Sequence, residues 1–281
     1  MTVAEGLKEG SKVLREHAVA EPERESVLLM SHALKRDSTF IYAHPEYRLN
    51  AIESILFKAV VRRRAAHEPF QYIVGHQEFF GINFQVTPDV LIPRPETEIL
   101  VQAAIDAFRN QDNVRFLEVG VGSGCISVSI LENLPDARAL GVDASYKALV
   151  MAGTNAEKNG VAERLELQIS DVYQSVDERD FDLVVSNPPY VSDRDLGSLQ
   201  REVRDFEPHV ALSGGPDGLD IVRRIIAGAP KLLKSKGMLL MEIGWDQSEK
   251  VQQILGSAGW KNIEMLPDLQ GIPRIVSARK D

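Results

Sequence analysis

The chain has 281 residues, 44% hydrophobic and 26% charged, an ordinary globular composition that suits one large and one small domain. No run approaches the length of a membrane span, MTVAEGLKEGSKVL has neither the apolar core of a secretion signal nor the acid-poor bias of a transit peptide, and the single cysteine, Cys125, excludes an internal disulfide. A cytoplasmic protein with no membrane partner and no metal ion is therefore expected. The net charge of −9 is uneven: residues 1–70 hold 11 Lys+Arg against 10 Asp+Glu, the remainder 21 against 31, and an acidic larger part weighs against a nucleic-acid partner.

Residues 2–66 read as three helices. The first carries Val3, Leu7, Leu14 and Ala18 near one face, with Thr2 and Glu5 at capping-box spacing. The second starts at Pro22. The third runs from Asn50, with Glu53 three residues on and Ile52, Ile55, Leu56, Ala59 and Val60 as its apolar stripe. It ends in Arg62-Arg63-Arg64, read as a solvated helix end. The period then changes: FQYIVGHQEFFGINFQV, 70–86, predicts a β-hairpin with Gly75 and Gly81 as turn candidates. LIPRPETE follows as rigid extended chain, with a helix starting at Pro95.

From residue 114 strands and helices alternate. VRFLEVG, ARALGVD, LELQISD, FDLVVSN and GMLLMEIG are the strands; Ser123–Asn133, Ser145–Asn159 and stretches near 218–234 and 247–258 are the helices. That order predicts an α/β, doubly wound parallel sheet. WKNIEML and PRIVSARK, with no helix between them, predict a closing antiparallel hairpin. The expected division is a helical domain over 1–69, a hairpin linker over 70–89 and a large domain over 90–281.

Two stretches carry chemistry. Gly120-Val121-Gly122-Ser123-Gly124 follows a strand and opens a helix, a turn that lets a ligand approach the backbone. Asp143 closes the next strand, 19 residues after Gly124, where a carboxylate can accept both hydroxyls of a ribose. A nicotinamide dinucleotide fits the same logic, but the G-x-G-x-G spacing favours S-adenosylmethionine. Cys125, just beyond, reads as a small helix residue. The second stretch is Asn187-Pro188-Pro189-Tyr190 at the end of a strand. Two prolines remove two N–H donors, leaving the Asn187 oxygen and the Pro188 carbonyl as acceptors beside an aromatic face. Such a site suits a planar –NH2 group, whose lone pair it can orient toward a methyl donor. Adenine presents the same group.

These motifs resemble the class I methyltransferases. QYIVG at 71–75, LIPRPETE at 91–98, EPHVALSGGPDGLD at 207–220, EIGWDQ at 242–247 and DLQGIPRIV at 268–276 are similar to the bacterial release-factor glutamine methyltransferases, called PrmC or HemK. The resemblance covers nearly the whole chain. It implies a Rossmann-like seven-stranded sheet and methyl transfer to the side-chain nitrogen of a glutamine in a peptide chain release factor; a monomer is expected, and the three short helices of near-neutral charge read as a substrate-docking unit. It implies S-adenosylmethionine contacts at Glu118, Gly120, Val121, Gly122, Ser123, Gly124, Asp143, Asp171, Val172 and Asn187. It implies catalysis by Asn187, Pro188 and Tyr190, and substrate contacts from these together with Pro189 and Arg94. Glu118 stands where the family usually has Asp, and Val172 where many members have an aromatic residue. Arg94 is open between steering a ligand and an ordinary surface position; SGGPDG is open between a flap and a plain loop. The competing functions are an amino-methyltransferase of DNA or RNA bases, a ribosomal-protein glutamine methyltransferase and a non-catalytic cofactor-binding module.

Overall fold

The computed structural model describes all 281 residues and divides into two compact units, Met1–Gly75 with Gln200–Phe206, and His76–Leu199 with Glu207–Asp281. No helix is long and apolar enough to cross a membrane.

The first unit begins with α1 (Val3–Glu16), α2 (Pro22–Leu34), α3 (Ser38–Ala43), α4 (Ala51–Ala65) and α5 (Phe70–Val74). Thr2 with Glu5, and Asn50 with Glu53, close reciprocal capping boxes, which satisfy N–H groups that a helix start leaves without partners. Val3, Leu14, Leu29, Met30, Ile41 and Phe57 form the core.

Four readings of this region are corrected, the first being that residues 2–66 form four helices rather than three, because Ser38–Ala43 adds a short one capped by Asp37. Helix α4 buries Phe57, Val60, Val61, Arg64 and Ala65, whereas Ile52, Ile55 and Leu56 are 69%, 67% and 46% exposed. The helix is apolar on both sides, so periodicity could not choose its inner face. Arg64 is not a solvated helix end: it is 4% exposed and donates to Glu25 at 3.0 Å and Glu202 at 2.8 Å. Residues 70–74 are a helix ended by Gly75 at φ +84°, so the hairpin starts only at His76. Aromatic and β-branched content there favoured a strand, but β-propensity is a weak prior that packing overrides.

The second unit opens with the antiparallel hairpin β1 (His76–Phe79) and β2 (Ile82–Gln85). There follow α6 (Thr97–Phe108), β3 (Arg115–Val119), α7 (Cys125–Asn133), β4 (Arg138–Asp143), α8 (Tyr146–Lys158), β5 (Leu165–Ile169) and β6 (Phe181–Ser186). After α9 (Arg201–Phe206), which belongs to the first unit, come α10 (Asp220–Gly228), β7 (Leu233–Glu242), α11 (Ser248–Ser257), β8 (Lys261–Pro267) and β9 (Pro273–Arg279). Helix α6 begins at Thr97 rather than Pro95, because Thr97 and Glu98 first close a turn onto the Arg94 and Pro95 carbonyls.

The seven-stranded sheet has the order β5-β4-β3-β6-β7-β9-β8, parallel except where β9 runs against β7 and β8. This is the doubly wound sheet with a closing antiparallel hairpin that the alternation predicted. The strand order reverses between β3 and β6, the place where open α/β sheets bind ligands beyond their carboxyl ends.

Pleating sends alternate residues to opposite faces. In β3, Phe116 joins the core that includes the hairpin, α6 and α7, while Leu117 and Val119 join the core under α10 and α11. In β7, Met238 and Leu240 face the first core, and Leu239 and Met241 the second. By the same alternation Glu118 and Glu242 point to the α6–α7 face.

Candidate active site

A cleft within the second unit opens where β3, β4 and β6 end, and Gly120, Gly122, Asp143, Val172 and Asn187 are among its walls. The glycine turn is left-handed at Gly120 (φ +76°), Gly122 (+54°) and Gly124 (+80°), a conformation that a Cβ penalises. A Cβ on Gly124 would also stand 3.2 Å from Ala152, where α8 crosses the loop. The Gly120 and Val121 N–H groups donate to the Val142 carbonyl at 2.8 and 3.0 Å, lashing the turn to β4.

Asp143 accepts from the Gly122 N–H at 2.9 Å through one oxygen and from the Ser145 N–H at 2.8 Å through the other. Each carboxylate oxygen keeps a further lone pair, so the group can still receive two hydroxyls side by side. Burial holds its pKa above the ordinary value, opposed by the backbone N–H bonds.

Glu118 is 1% exposed and accepts from both the N–H (2.9 Å) and the hydroxyl of Ser127 on α7. Burial pushes its pKa up to about 8. The carboxylate thus ties β3 to the helix that starts at the glycine turn. Cys125, at the start of α7, is partly buried in the cleft wall, and desolvation pushes its thiol up to about 12. Asp171 pairs with Arg224 at 2.9 Å. Val172 is 7% exposed with φ +56°, a backbone that a β-branched side chain rarely adopts.

The pairing of Val119 with Ser186 sets Gly120 beside Asn187 across the reversal between β3 and β6. Ser186 donates its hydroxyl to the Val119 carbonyl at 2.7 Å, closing the two strand ends together. Asn187 donates its Nδ2 to Thr97 Oγ1 at 3.1 Å, and neither its Oδ1 nor the Pro188 carbonyl receives a hydrogen bond from the protein. Tyr190 donates its hydroxyl to Glu242 at 3.3 Å. Pro189 lines the cleft, whereas Pro188 is buried behind it.

Arg94 lines the cleft too, but it is held in an ion pair with Glu207, which is buried and also accepts from the Ile92 N–H. The guanidinium is therefore a fixed wall. The 213–218 stretch packs against the chain that follows Tyr190. The Val191 N–H donates to the Leu212 carbonyl, the Gly214 N–H donates to the Val191 carbonyl, Asp193 donates to the Gly215 carbonyl, and a Cβ on Gly218 would fall 2.3 Å from the Tyr190 carbonyl.

Three residues of this site had no role in the sequence reading. Thr97 and Glu242 form the inner wall behind Asn187. Gln247, 6% exposed, donates to the Tyr190 and Gly218 carbonyls at 3.0 and 3.2 Å and accepts from the Gly244 N–H at 2.9 Å. It ties three loops together. The available signal was a lone carboxylate ending the apolar run GMLLME, since charge in a buried strand requires partners.

Residues 5–75 match the PrmC N-terminal domain and residues 96–203 the methyltransferase small domain. A release factor glutamine methyltransferase of Koribacter versatilis is 38% identical over 281 residues, covering 100% of this chain and 99% of that protein. Another, from Geobacter sulfurreducens, is 41% identical over 266 residues, covering 95% and 92%. Among solved structures, a methyltransferase of Pyrococcus furiosus aligns with a TM-score of 0.54 at 16% identity over 79% of this chain and 97% of that one, a likeness of fold. Identity at this level along nearly the whole chain, with a helical segment and a methyltransferase segment in the same order, means that the chain belongs to the release factor glutamine methyltransferase family.

Proposed function

We propose that the protein transfers a methyl group from S-adenosylmethionine to the side-chain amide nitrogen of a glutamine in a peptide chain release factor, in the cytoplasm. The observation that carries this reading is Asn187 in the cleft wall at the reversal between β3 and β6, with neither its Oδ1 nor the adjoining Pro188 carbonyl taken by a protein donor. The residues fit the cofactor: left-handed glycines admit it to the backbone, and Asp143 retains two lone pairs for the ribose. When bound, the cofactor supplies the methyl as an electrophilic carbon on a sulfonium.

An amide nitrogen is a weak nucleophile because its lone pair is delocalised into the carbonyl. Asn187 and Pro188 hold its two N–H bonds, which fixes the plane of the group and returns electron density to nitrogen. Tyr190 closes one side. Orientation and preorganised dipoles thus supply the catalysis without a strong base, and the nitrogen sheds its proton after transfer. The first unit is the docking surface for the release factor: Ile52, Ile55 and Leu56 form an apolar stripe on α4 that its own core does not cover.

The test is methyl transfer from labelled S-adenosylmethionine to purified release factor, ribosomal protein, DNA and RNA, with the site located by mass spectrometry. Label on a release-factor glutamine is expected. Label on a nucleobase or on a ribosomal protein alone overturns the reading.

A further inference from the structure

Glu242 has no part in the chemistry above, yet it stands directly behind it. It is 2% exposed and has no cation in hydrogen-bond contact; two hydroxyls take that place. Thr97, also 2% exposed, donates to Glu242 Oε2 at 2.6 Å, and Tyr190 donates to Oε1 at 3.3 Å. Thr97 Oγ1 in turn accepts from Asn187 Nδ2 at 3.1 Å.

The direction of these bonds matters more than their number. An ionised carboxylate can only accept. Thr97 has one hydroxyl proton, and Glu242 takes it. Thr97 can then offer Asn187 nothing but a lone pair, so the –NH2 end of the Asn187 amide must turn inward. Its oxygen is left for the cleft. The two ends of an amide are almost identical in shape, and packing alone cannot tell them apart. A reversed Asn187 would present a donor to the substrate –NH2, the wrong polarity for holding it. We propose that Glu242 and Thr97 are positioning residues, a one-way hydrogen-bond relay that fixes which end of Asn187 faces the substrate nitrogen and anchors Tyr190 on the same carboxylate. This inference rests on the assignment of Asn187 as the holder of the glutamine amide.

The relay has a pH signature. Burial pushes the Glu242 pKa up to about 7, opposed by the hydroxyl bonds of Thr97 and Tyr190; Glu96 raises it further and Arg274 lowers it. Cys125 also faces this carboxylate but stays neutral, its thiol pushed up to about 12. Below about pH 7 the carboxyl carries a proton, can donate to Thr97, and no longer dictates the direction of the chain. The transfer step should therefore slow as pH falls through that value.

The experiment is single-turnover methyl transfer to an intact release factor at saturating S-adenosylmethionine, with full-length variants. Thr97→Val keeps the shape and removes the relay; the rate should fall by about 10- to 100-fold, the scale for a slightly misplaced reacting group. Affinity for cofactor and release factor should change by less than about threefold, since the loss lies in the transition state. Thr97→Ser should recover most of the rate. Asn187→Ala with Thr97→Val should be no slower than Asn187→Ala alone, because Thr97 acts only through Asn187. Glu242→Gln should lose the acid limb of the pH profile. A near-wild-type rate for Thr97→Val, losses that multiply in the double variant, or an unchanged acid limb in Glu242→Gln each overturn the relay while leaving the site assignment intact. A near-wild-type rate for Asn187→Ala overturns the assignment and the relay together. Thermal midpoints identify a variant that fails to fold; Thr97→Ala and Glu242→Gln then carry the same comparison.

Discussion

The roles proposed for Asp143 and Asn187 concern different partners, and substitution should separate them. Asp143→Ala removes a charged acceptor from the ribose position, and calorimetry should show S-adenosylmethionine binding weakened by about 1.5–3 kcal/mol. Unchanged affinity would mean that the ribose lies elsewhere. Asn187→Ala leaves both prolines in place and removes one of two acceptors; single-turnover methyl transfer should fall by roughly 10²–10³ with a modest change in cofactor affinity. Asn187→Asp should be as inactive as alanine, because a carboxylate has no N–H for Thr97 to accept. A stability effect belongs to Glu118. Its folded pKa of about 8 lies above the ordinary value of 4.5, so between those two values the native state keeps a proton that the unfolded chain has lost. Stability contributed by this group therefore falls as pH rises across that window and is level above it. Urea midpoints at three pH values should show a shallower decline in Glu118→Gln than in the wild type; equal slopes would contradict the burial argument.

Among the elements, the helix starts were the most legible and the inner faces of helices the least. Thr2-x-x-Glu5 and Asn50-x-x-Glu53 fold as the capping boxes that their spacing implies, because a cap is a local bond between residues already close in the chain. Asn50→Ala should cost the protein about 1 kcal/mol, measured by chemical denaturation. The stripe of α4 was misread because Ile52, Ile55 and Leu56 satisfy the same period as the buried Phe57, Val60 and Val61. Which side is inward depends on α1 and α2, which lie far away in the sequence. The glycine turn and Asn187-Pro188-Pro189-Tyr190 were legible for a third reason: left-handed glycines and consecutive prolines restrict the backbone whatever surrounds them.

At the scale of the molecule, the first unit is assembled from two distant stretches of chain. Arg64 holds Glu25 and Glu202 from elements 39 and 138 residues away. Arg64→Ala should lower stability by about 1–3 kcal/mol, below the cost of stranding fully buried charges because both carboxylates keep some contact with water. Removing residues 1–70 would strip Glu202 of this partner, so docking is better tested by surface substitution. Ile52→Glu with Ile55→Glu should raise KM for an intact release factor at least severalfold, with cofactor affinity unaltered. Unchanged KM would place docking elsewhere.

The order of helical unit, hairpin and doubly wound sheet, the glycine turn, Asp143 at a strand end and the Asn-Pro-Pro-Tyr loop could all be read from the sequence, because each follows from local backbone chemistry or from a period of two or 3.6 residues. Folding in three dimensions brings Arg94 to Glu207, packs 213–218 against the chain after Tyr190, and gathers Thr97, Tyr190 and Glu242 behind Asn187. The contacts of Arg94 and Glu242 join residues 52 to 145 positions apart, and a hydrogen bond across that distance exists only once the sheet has set its strands in order and its pleat has turned each side chain to one face.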